Sequence, residues 1–536
     1  MEIPLLVRPR SLAAALGAAV LAGSLLAQPG AATAVDEPAA DPVGAPGLDR
    51  VIDLVDVPGA ETATERAVQV LDEASSVLDG APAQRDTSMV LLELARTQAD
   101  LPAGRRAEAR RLLARPTDGA NDPIGFGYAG NASPTQSCAG GFCVHWARAT
   151  RDAPDLADAD ANGRPDTVDR VLATLIQVGG TYVQAGYRKP VSDGAKGGGV
   201  DQFDVYLVES GEAGVYGYCA PEVVARGDRT APAYCALDND FAEFPTHTPL
   251  ENMQVTVAHE YFHAVQFAYD LTEDQWFLES SAAWVEDEIF DAVDDNVQYL
   301  RAGPISQPRI PIDRGQGLRV YGSWIFFRYL GEIEPESQAG LPTVVRDIWE
   351  RAAGTAYSMK AVESVLKDRG RSMRKTVAKF ADANRHPKQR YDEGRKYPTA
   401  KPAGKATIAA GQGLRGTQSL DHLASGSYRF KPGSGTGGKA WRLRVAVDLP
   451  PSTVPTAAVV TTRSTSGGLR TRLVKVGKGG NGSLKVPFSS RTVSYVDVTL
   501  VNASTRYRCG RGTPYSCQGK ARDDGLDLAV RVRATR

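Results

Sequence analysis

The chain has 536 residues, and its 62 basic against 63 acidic side chains leave a net charge of −1, so there is no broad field of one sign to hold nucleic acid. At 42% hydrophobic content it is long enough to bury several cores. After the amino terminus, no apolar stretch approaches the length of a membrane span.

Arg8 and Arg10 precede an apolar run from Leu12 to Ala27, and Ala32-Thr33-Ala34 is a small-residue cleavage site, so residues 1–34 read as a secretory signal peptide. The mature protein is therefore expected to be secreted, extracellular and free of any membrane span. Residues 35–118 are Ala-rich and charged, with helices expected around 63–78 and 89–113, and read as a helical pro-region or accessory segment. That segment has no cysteine, so it cannot place a thiolate on a metal.

Residues 119–399 read as an α+β unit, with a strand at Phe203 to Val208 and helices at 249–269, 273–290, 321–331, 341–353, 359–369 and 372–384. The basic run Arg369, Arg371, Arg374, Lys375, Lys379 and Arg385 is taken as the wet face of two of these helices. From 400 to 536 the alternating segments Trp441 to Val447, Tyr495 to Val501 and Leu526 to Val532 suggest an all-β, sandwich-like domain that binds substrate, cell wall or nothing. The fold class expected is thus multidomain α+β, and we take the chain as a monomer.

Six cysteines fall into three local pairs, Cys138 with Cys143, Cys219 with Cys235 and Cys509 with Cys517, which in an exported chain read as disulfides.

The most informative stretch is His259-Glu260-Tyr261-Phe262-His263. Thr248-Pro249-Leu250-Glu251 is a capping box with proline at the first helical position, so a helix should carry both histidines, four residues apart and one turn above the other on the same face. Both ring nitrogens can then reach one Zn2+ at about 2.0–2.1 Å, and Glu260 points to where a zinc-bound water would sit, as a general base. Thr272-Glu273-Asp274-Gln275 reads as a second capping box, and the Leu278, Ala282, Val285, Ile289 stripe as a second helix.

For the third ligand the choice is Glu279, between the bulky Trp276 and Phe277 and the small Ser280, Ser281, Ala282 and Ala283. The other acids, Asp270, Glu273, Asp274, Glu286, Asp287 and Glu288, sit in polar runs that read as solvated, with Glu286 the next choice. A metzincin would need glycine at 266 and histidine at 269, where the chain has Gln266 and Tyr269.

Leu237-Asp238-Asn239-Asp240, the run from His259 to Asp270 and the run from Trp276 to Glu288 resemble a group of secreted bacterial zinc metallopeptidases of gluzincin type, with further matches at Asp160 to Asp166, Phe203 to Leu207 and Tyr216 to Cys219. The resemblance runs from about Cys143 to about Leu330. It implies a zincin-like catalytic domain with zinc held by His259, His263 and Glu279, and Glu260 as base. Better-known gluzincins often carry an acid four residues after the glutamate ligand, which orients the first histidine; here that position is Ala283, so that partner must come from elsewhere.

A second constellation has the calcium-loop pattern: Asp158, Asp160, Asn162, the Arg164 carbonyl, Asp166 and Asp169, with Gly163 at the turn, expected to hold one structural Ca2+. It departs in having Asp169 in place of the usual Glu and Pro165 at position eight.

The function expected is hydrolysis of peptide bonds in a peptide or protein substrate by a zinc-activated water. Tyr321 is the candidate transition-state stabiliser, ahead of His386 and His422. Competing readings are a non-catalytic exported binding protein with a degenerate peptidase domain, and a zinc amidase acting on cell-wall peptide.

Overall fold

The computed structural model describes residues 62–78, 81, 85–118, 128, 132–194, 196, 201–222, 224–354 and 356–536. The expected signal peptide and the start of the helical segment lie outside them.

Three helices come first: α1 (Ala63–Leu78), α2 (Thr87–Thr97) and α3 (Arg106–Leu112). The single helix expected over 89–113 is broken because Pro102 and Gly104 interrupt it; one 3-10 turn, Gln98–Asp100, fills part of the gap.

The central sheet contains β1 (Pro134–Ala139), β2 (Phe142–Ala147), β3 (Phe203–Val208), β4 (Gly217–Pro221) and β5 (Ala233–Asp238), in the order β1-β2-β3-β5-β4. The β2–β3 and β3–β5 pairs are parallel; β4 is an antiparallel edge strand. Successive strand residues face opposite ways, and β3 shows the result. Val205 and Leu207 enter the core with α4 (Asp166–Gln184) and α5 (Pro249–Phe267), whereas Tyr206 and Val208 join Tyr218, Tyr234 and Ala236 under Leu71, Leu91 and Leu94 of α1 and α2. The amino-terminal helices therefore cover that face of strands β2 to β5.

Helix α6 (Gln275–Ile289) packs against α5. Its expected capping box does not form. Thr272 bonds to Asp270 Oδ1 instead, and the carboxylate of the actual cap residue, Asp274, accepts from Ser358 Oγ at 2.6 Å and Cys517 N at 2.8 Å. Beyond it lie α7 (Arg319–Gly322), α8 (Trp324–Ile333), the two-residue strands β6 (Ser337–Gln338) and β7 (Leu341–Pro342), and α9 (Thr343–Ala352), α10 (Ser358–Asp368), α11 (Met373–Ala383) and α12 (Pro387–Arg390). The helix expected over 321–331 is two helices meeting at Ser323, whose hydroxyl donates to Ile312 O at 2.7 Å.

The last segment is a two-sheet sandwich. Strands β8 (Gly404–Ile408), β10 (Ala424–Pro432), β12 (Thr456–Ser464), β13 (Leu469–Leu473) and β15 (Val493–Asn502) make one sheet, and β9 (Gly413–Leu420), β11 (Arg442–Asp448), β14 (Asn481–Pro487) and β18 (Leu526–Thr535) the other, with a separate small pair β16 (Tyr507–Arg508) and β17 (Lys520–Ala521). Leu443, Val445, Val460, Val498, Leu500 and Val530 form the core between the sheets. The outer face of the larger sheet is buried too: Val459 and Val501 belong to the same core as α5, α6 and α11.

That junction corrects the reading of the basic run. Arg385 is a buried residue, not a wet one: it donates to Asp497 Oδ2 at 2.8 Å, and Asp497 also accepts from Arg429 Nε and Nη2, both at 2.7 Å. Arg369 and Arg371 both pair with Glu334. All three expected disulfides are present, Cys138–Cys143, Cys219–Cys235 and Cys509–Cys517. Among the described residues no helix is long and apolar enough to cross a membrane.

Candidate metal centre

The capping box expected at the start of α5 is present. Thr248 Oγ1 accepts from Glu251 N, and Glu251 Oε2 accepts from Thr248 N at 2.9 Å, which fixes the helix start and so the face on which His259 and His263 fall. Their ring centroids are 4.8 Å apart. Helix α6 brings Glu279 against them; its small residues let it lie close to its neighbours, and Ser280 Oγ donates to Val320 O to tie it to α7.

Glu279 Oε2 lies 3.3 Å from His259 Nε2, and Glu279 Oε1 lies 3.7 Å from His263 Nε2. Neither pair is aligned as a hydrogen bond. Among the described residues His263 Nε2 and both Glu279 oxygens are buried with no hydrogen-bond partner. Orphaned buried groups of this kind are costly unless something else satisfies them. A tetrahedral zinc site with bonds of about 2.0–2.1 Å places its ligand atoms about 3.3–3.4 Å apart, so the spacing and donor types fit that ion.

The electrostatics point the same way. Burial pushes the carboxyls of Glu260 and Glu279 up to about 8 and that of Glu286 up to about 7, and pushes the His263 imidazole down to about 4. Burial thus disfavours the charged carboxylates, and a divalent cation seated among them would restore that form.

Ala283 leaves open which group orients the first histidine, and the structure supplies Glu286, two turns beyond Glu279 on the same face of α6. Its Oε1 lies 2.5 Å from His259 Nδ1, which leaves Nε2 turned toward Glu279. Glu286 is thus a partner of His259 rather than a stand-in for Glu279. Gln266, noted in the sequence only for what it excludes, does the same for His263: its Oε1 lies 2.8 Å from His263 Nδ1, and its Nε2 donates to Leu278 O at 2.9 Å. Its place one turn after His263 was the available signal. The reading of the remaining acids as solvated is also corrected: Asp270, Glu273, Glu286 and Asp287 are buried. Periodicity within α6 could not reveal this, because α5, α7 and α8 close over faces that looked polar, and Ser358 N at the start of α10 donates to Glu273 Oε2 at 2.9 Å.

Tyr321 reaches the site, with its ring centroid 6.1 Å from that of His259. It can do so because Gly322 and Gly303 meet backbone to backbone; a Cβ on Gly322 would stand 2.6 Å from Gly303 N. Burial, then the charge of Asp86, keeps its hydroxyl protonated as a donor. That hydroxyl donates to Asp86 Oδ2 at 3.0 Å. His386 and His422 are engaged elsewhere, His386 stacked on Tyr495 and His422 between Asp313 Oδ1 at 3.1 Å and Asp524 Oδ1 at 2.6 Å.

Two further residues of the site were missed from the sequence. Asp86 offers a ligand atom within 4.8 Å of those of His263 and Glu279, and Ser88 Oγ donates to Glu260 Oε2 at 2.8 Å.

In the expected calcium loop Asp158, Asp160 and Asp166 converge, with carboxylate oxygens within 4.8 Å of one another. Asp169 does not join them. It sits in the first turn of α4, where it pairs with Arg164 Nε at 2.7 Å and accepts from Asn162 Nδ2 at 2.7 Å; the same Nδ2 donates to Asp160 Oδ2 at 3.0 Å, and Asn162 Oδ1 accepts from Arg164 N at 2.9 Å.

No family model matches this chain, and no curated protein matches it. Among solved structures it is similar to the pre-peptidase C-terminal domain of a collagenase from Bacillus anthracis, at 8% identity and a TM-score of 0.16, over 25% of this chain and 97% of that one. It is also similar to the CBM22-1–GH10 modules of the N-terminal endo-1,4-β-D-xylanase 10B of Clostridium thermocellum complexed with xylohexaose, at 12% identity and a TM-score of 0.10, over 18% of this chain and 16% of that one. At these scores neither likeness bears on the site.

Proposed function

We propose that this is a secreted zinc-dependent metallopeptidase of gluzincin type, whose zincin-like catalytic domain holds the ion on His259, His263 and Glu279. The observation that carries the reading is the set of buried, unpartnered His263 Nε2 and Glu279 oxygens facing His259 Nε2 at ligand spacing. Bound there, zinc supplies Lewis acidity and lowers the pKa of a coordinated water to about 7.

The chain's own groups supply the rest. Glu260 takes the water's proton on a carboxylate oxygen and returns it to the leaving amine. Glu286 and Gln266 hold the imidazoles in the tautomer and rotation that present Nε2. The Tyr321 hydroxyl is a donor for charge developing on the scissile carbonyl oxygen. The cross-strand Cys219–Cys235 pair, at a Cα–Cα distance of 4.1 Å, is a non-hydrogen-bonded pair, so the Cys219 N–H points off the free edge of β4 beside Glu260. An extended peptide can pair with such an edge. Three disulfides and the absence of free cysteine support an oxidising compartment.

The test is metal analysis of the purified chain. Equimolar zinc, removed by a chelator and restored on readdition, is expected; protein that never takes up stoichiometric zinc would sink the reading.

On the same reading Asp158, Asp160 and Asp166 hold one structural calcium ion. A calcium-selective chelator should then lower the melting temperature. Identical melting curves with and without it would rule the loop out as a stabiliser.

A further inference from the structure

The metal site is sealed: His259 is 8% exposed, Glu260 4%, and His263 and Glu279 0%. A peptidase must admit a chain to these groups, so some covering element has to move. One turn of α2 meets three of the functions that hydrolysis needs. Asp86, the N-cap, places a carboxylate oxygen within 4.8 Å of the ligand atoms of His263 and Glu279. Its Oδ1 caps the helix, accepting from Ser88 N at 2.7 Å and Met89 N at 3.3 Å, and its Oδ2 takes the Tyr321 hydroxyl hydrogen. Ser88, fully buried, donates to Glu260 Oε2 and accepts the outward N–H of Cys219 at 2.8 Å.

We infer that Asp86 is a displaceable fourth ligand of the metal and that the Asp86–Ser88 turn holds the enzyme latent, an inference that rests on the zinc-peptidase reading. A carboxylate keeps lone pairs for an ion while accepting these hydrogen bonds. An open fourth position is what separates a catalytic zinc site from a structural one, and here Asp86 closes it. In the same turn Ser88 ties up the base and blocks the edge of β4, and the Tyr321 hydroxyl is spent on Asp86. The segment has no thiol for this task, and a carboxylate serves instead.

Relief of latency is local. Helices α1–α3 cannot leave the sheet without baring Tyr206, Val208, Tyr218, Tyr234 and Ala236 to water, which the hydrophobic effect opposes. The turn itself is held by ion pairs from Arg85 to Glu73 and Glu93, which a shift of the first turn of α2 breaks while leaving the covering helices in place.

The variant that tests this is Asp86→Asn. Asparagine caps a helix about as well as aspartate, so α2 keeps its start, but its neutral amide is a poor zinc ligand. Zinc content is measured first, then the dissociation constant of a small hydroxamate that binds zinc, and the rate at which a chelator removes the metal. Both proteins should carry one zinc. The hydroxamate should bind the variant about 10–100-fold more tightly, as expected if Asp86 fills the position about 90–99% of the time. The chelator should strip zinc from the variant faster by about tenfold or more. Equal hydroxamate affinity in two zinc-loaded proteins overturns the inference and leaves the peptidase reading standing. Failure of the wild-type chain to hold zinc overturns both.

Discussion

Glu260→Gln should keep its zinc and lose roughly 10²-fold or more in turnover, as expected for removal of a general base. The substitution is nearly isosteric, its amide oxygen can still accept from Ser88, and His259, His263 and Glu279 are untouched. Glu279→Ala should do the opposite. With both Glu279 oxygens gone and Asp86→Asn removing the carboxylate beside them, two imidazoles cannot hold the ion alone, so zinc content should fall and activity with it. Turnover and zinc content are both best compared with Asp86→Asn present in every protein, so that neither the covering turn nor its carboxylate masks the loss. Full zinc retention by Glu279→Ala would hand the third-ligand role to another acid. Glu260→Gln that hydrolyses peptides at the parent rate would remove Glu260 from the reaction.

Asp497→Ala should cost about 3–5 kcal/mol, because it strands Arg385 in a buried site and deprives Arg429 of both its bonds. A buried cation without its partner is penalised far more than the pair contributes when whole. Since Val459 and Val501 of the sandwich share a core with α5, α6 and α11, the loss should appear as one cooperative shift of the whole unit in chemical denaturation. A separate early transition confined to the β-rich part would mean that the sandwich is an independent module. Asp497→Asn, which keeps an acceptor but not the charge, should fall between the two.

Some of this architecture was legible at the level of local spacing. The cap at Thr248, the shared face of His259 and His263 and the three neighbouring disulfides depend on residues close in the chain, where helix period and short loops leave few alternatives. The calcium-loop pattern was only partly realised, because α4 starts at Asp166 and turns Asp169 toward Arg164. The second capping box failed for a related reason: Asp274 is drawn to Ser358 and Cys517, partners that no local pattern contains.

By itself, then, the sequence determined that the two histidines share a helix face with Glu260 between them, since a helix converts a spacing into a direction. Only the tertiary structure decided that Glu286 and Gln266 orient those histidines, that acids in polar runs are buried, that the sandwich is joined to the helices through Asp497, and that Asp86 and Ser88 stand over the site. The bond from Ser88 to Glu260 spans a separation of 172 residues. Contacts at that range are set by how sheet and helices stack to bury apolar faces, and periodicity carries no record of which loop then lies above His259, His263 and Glu279.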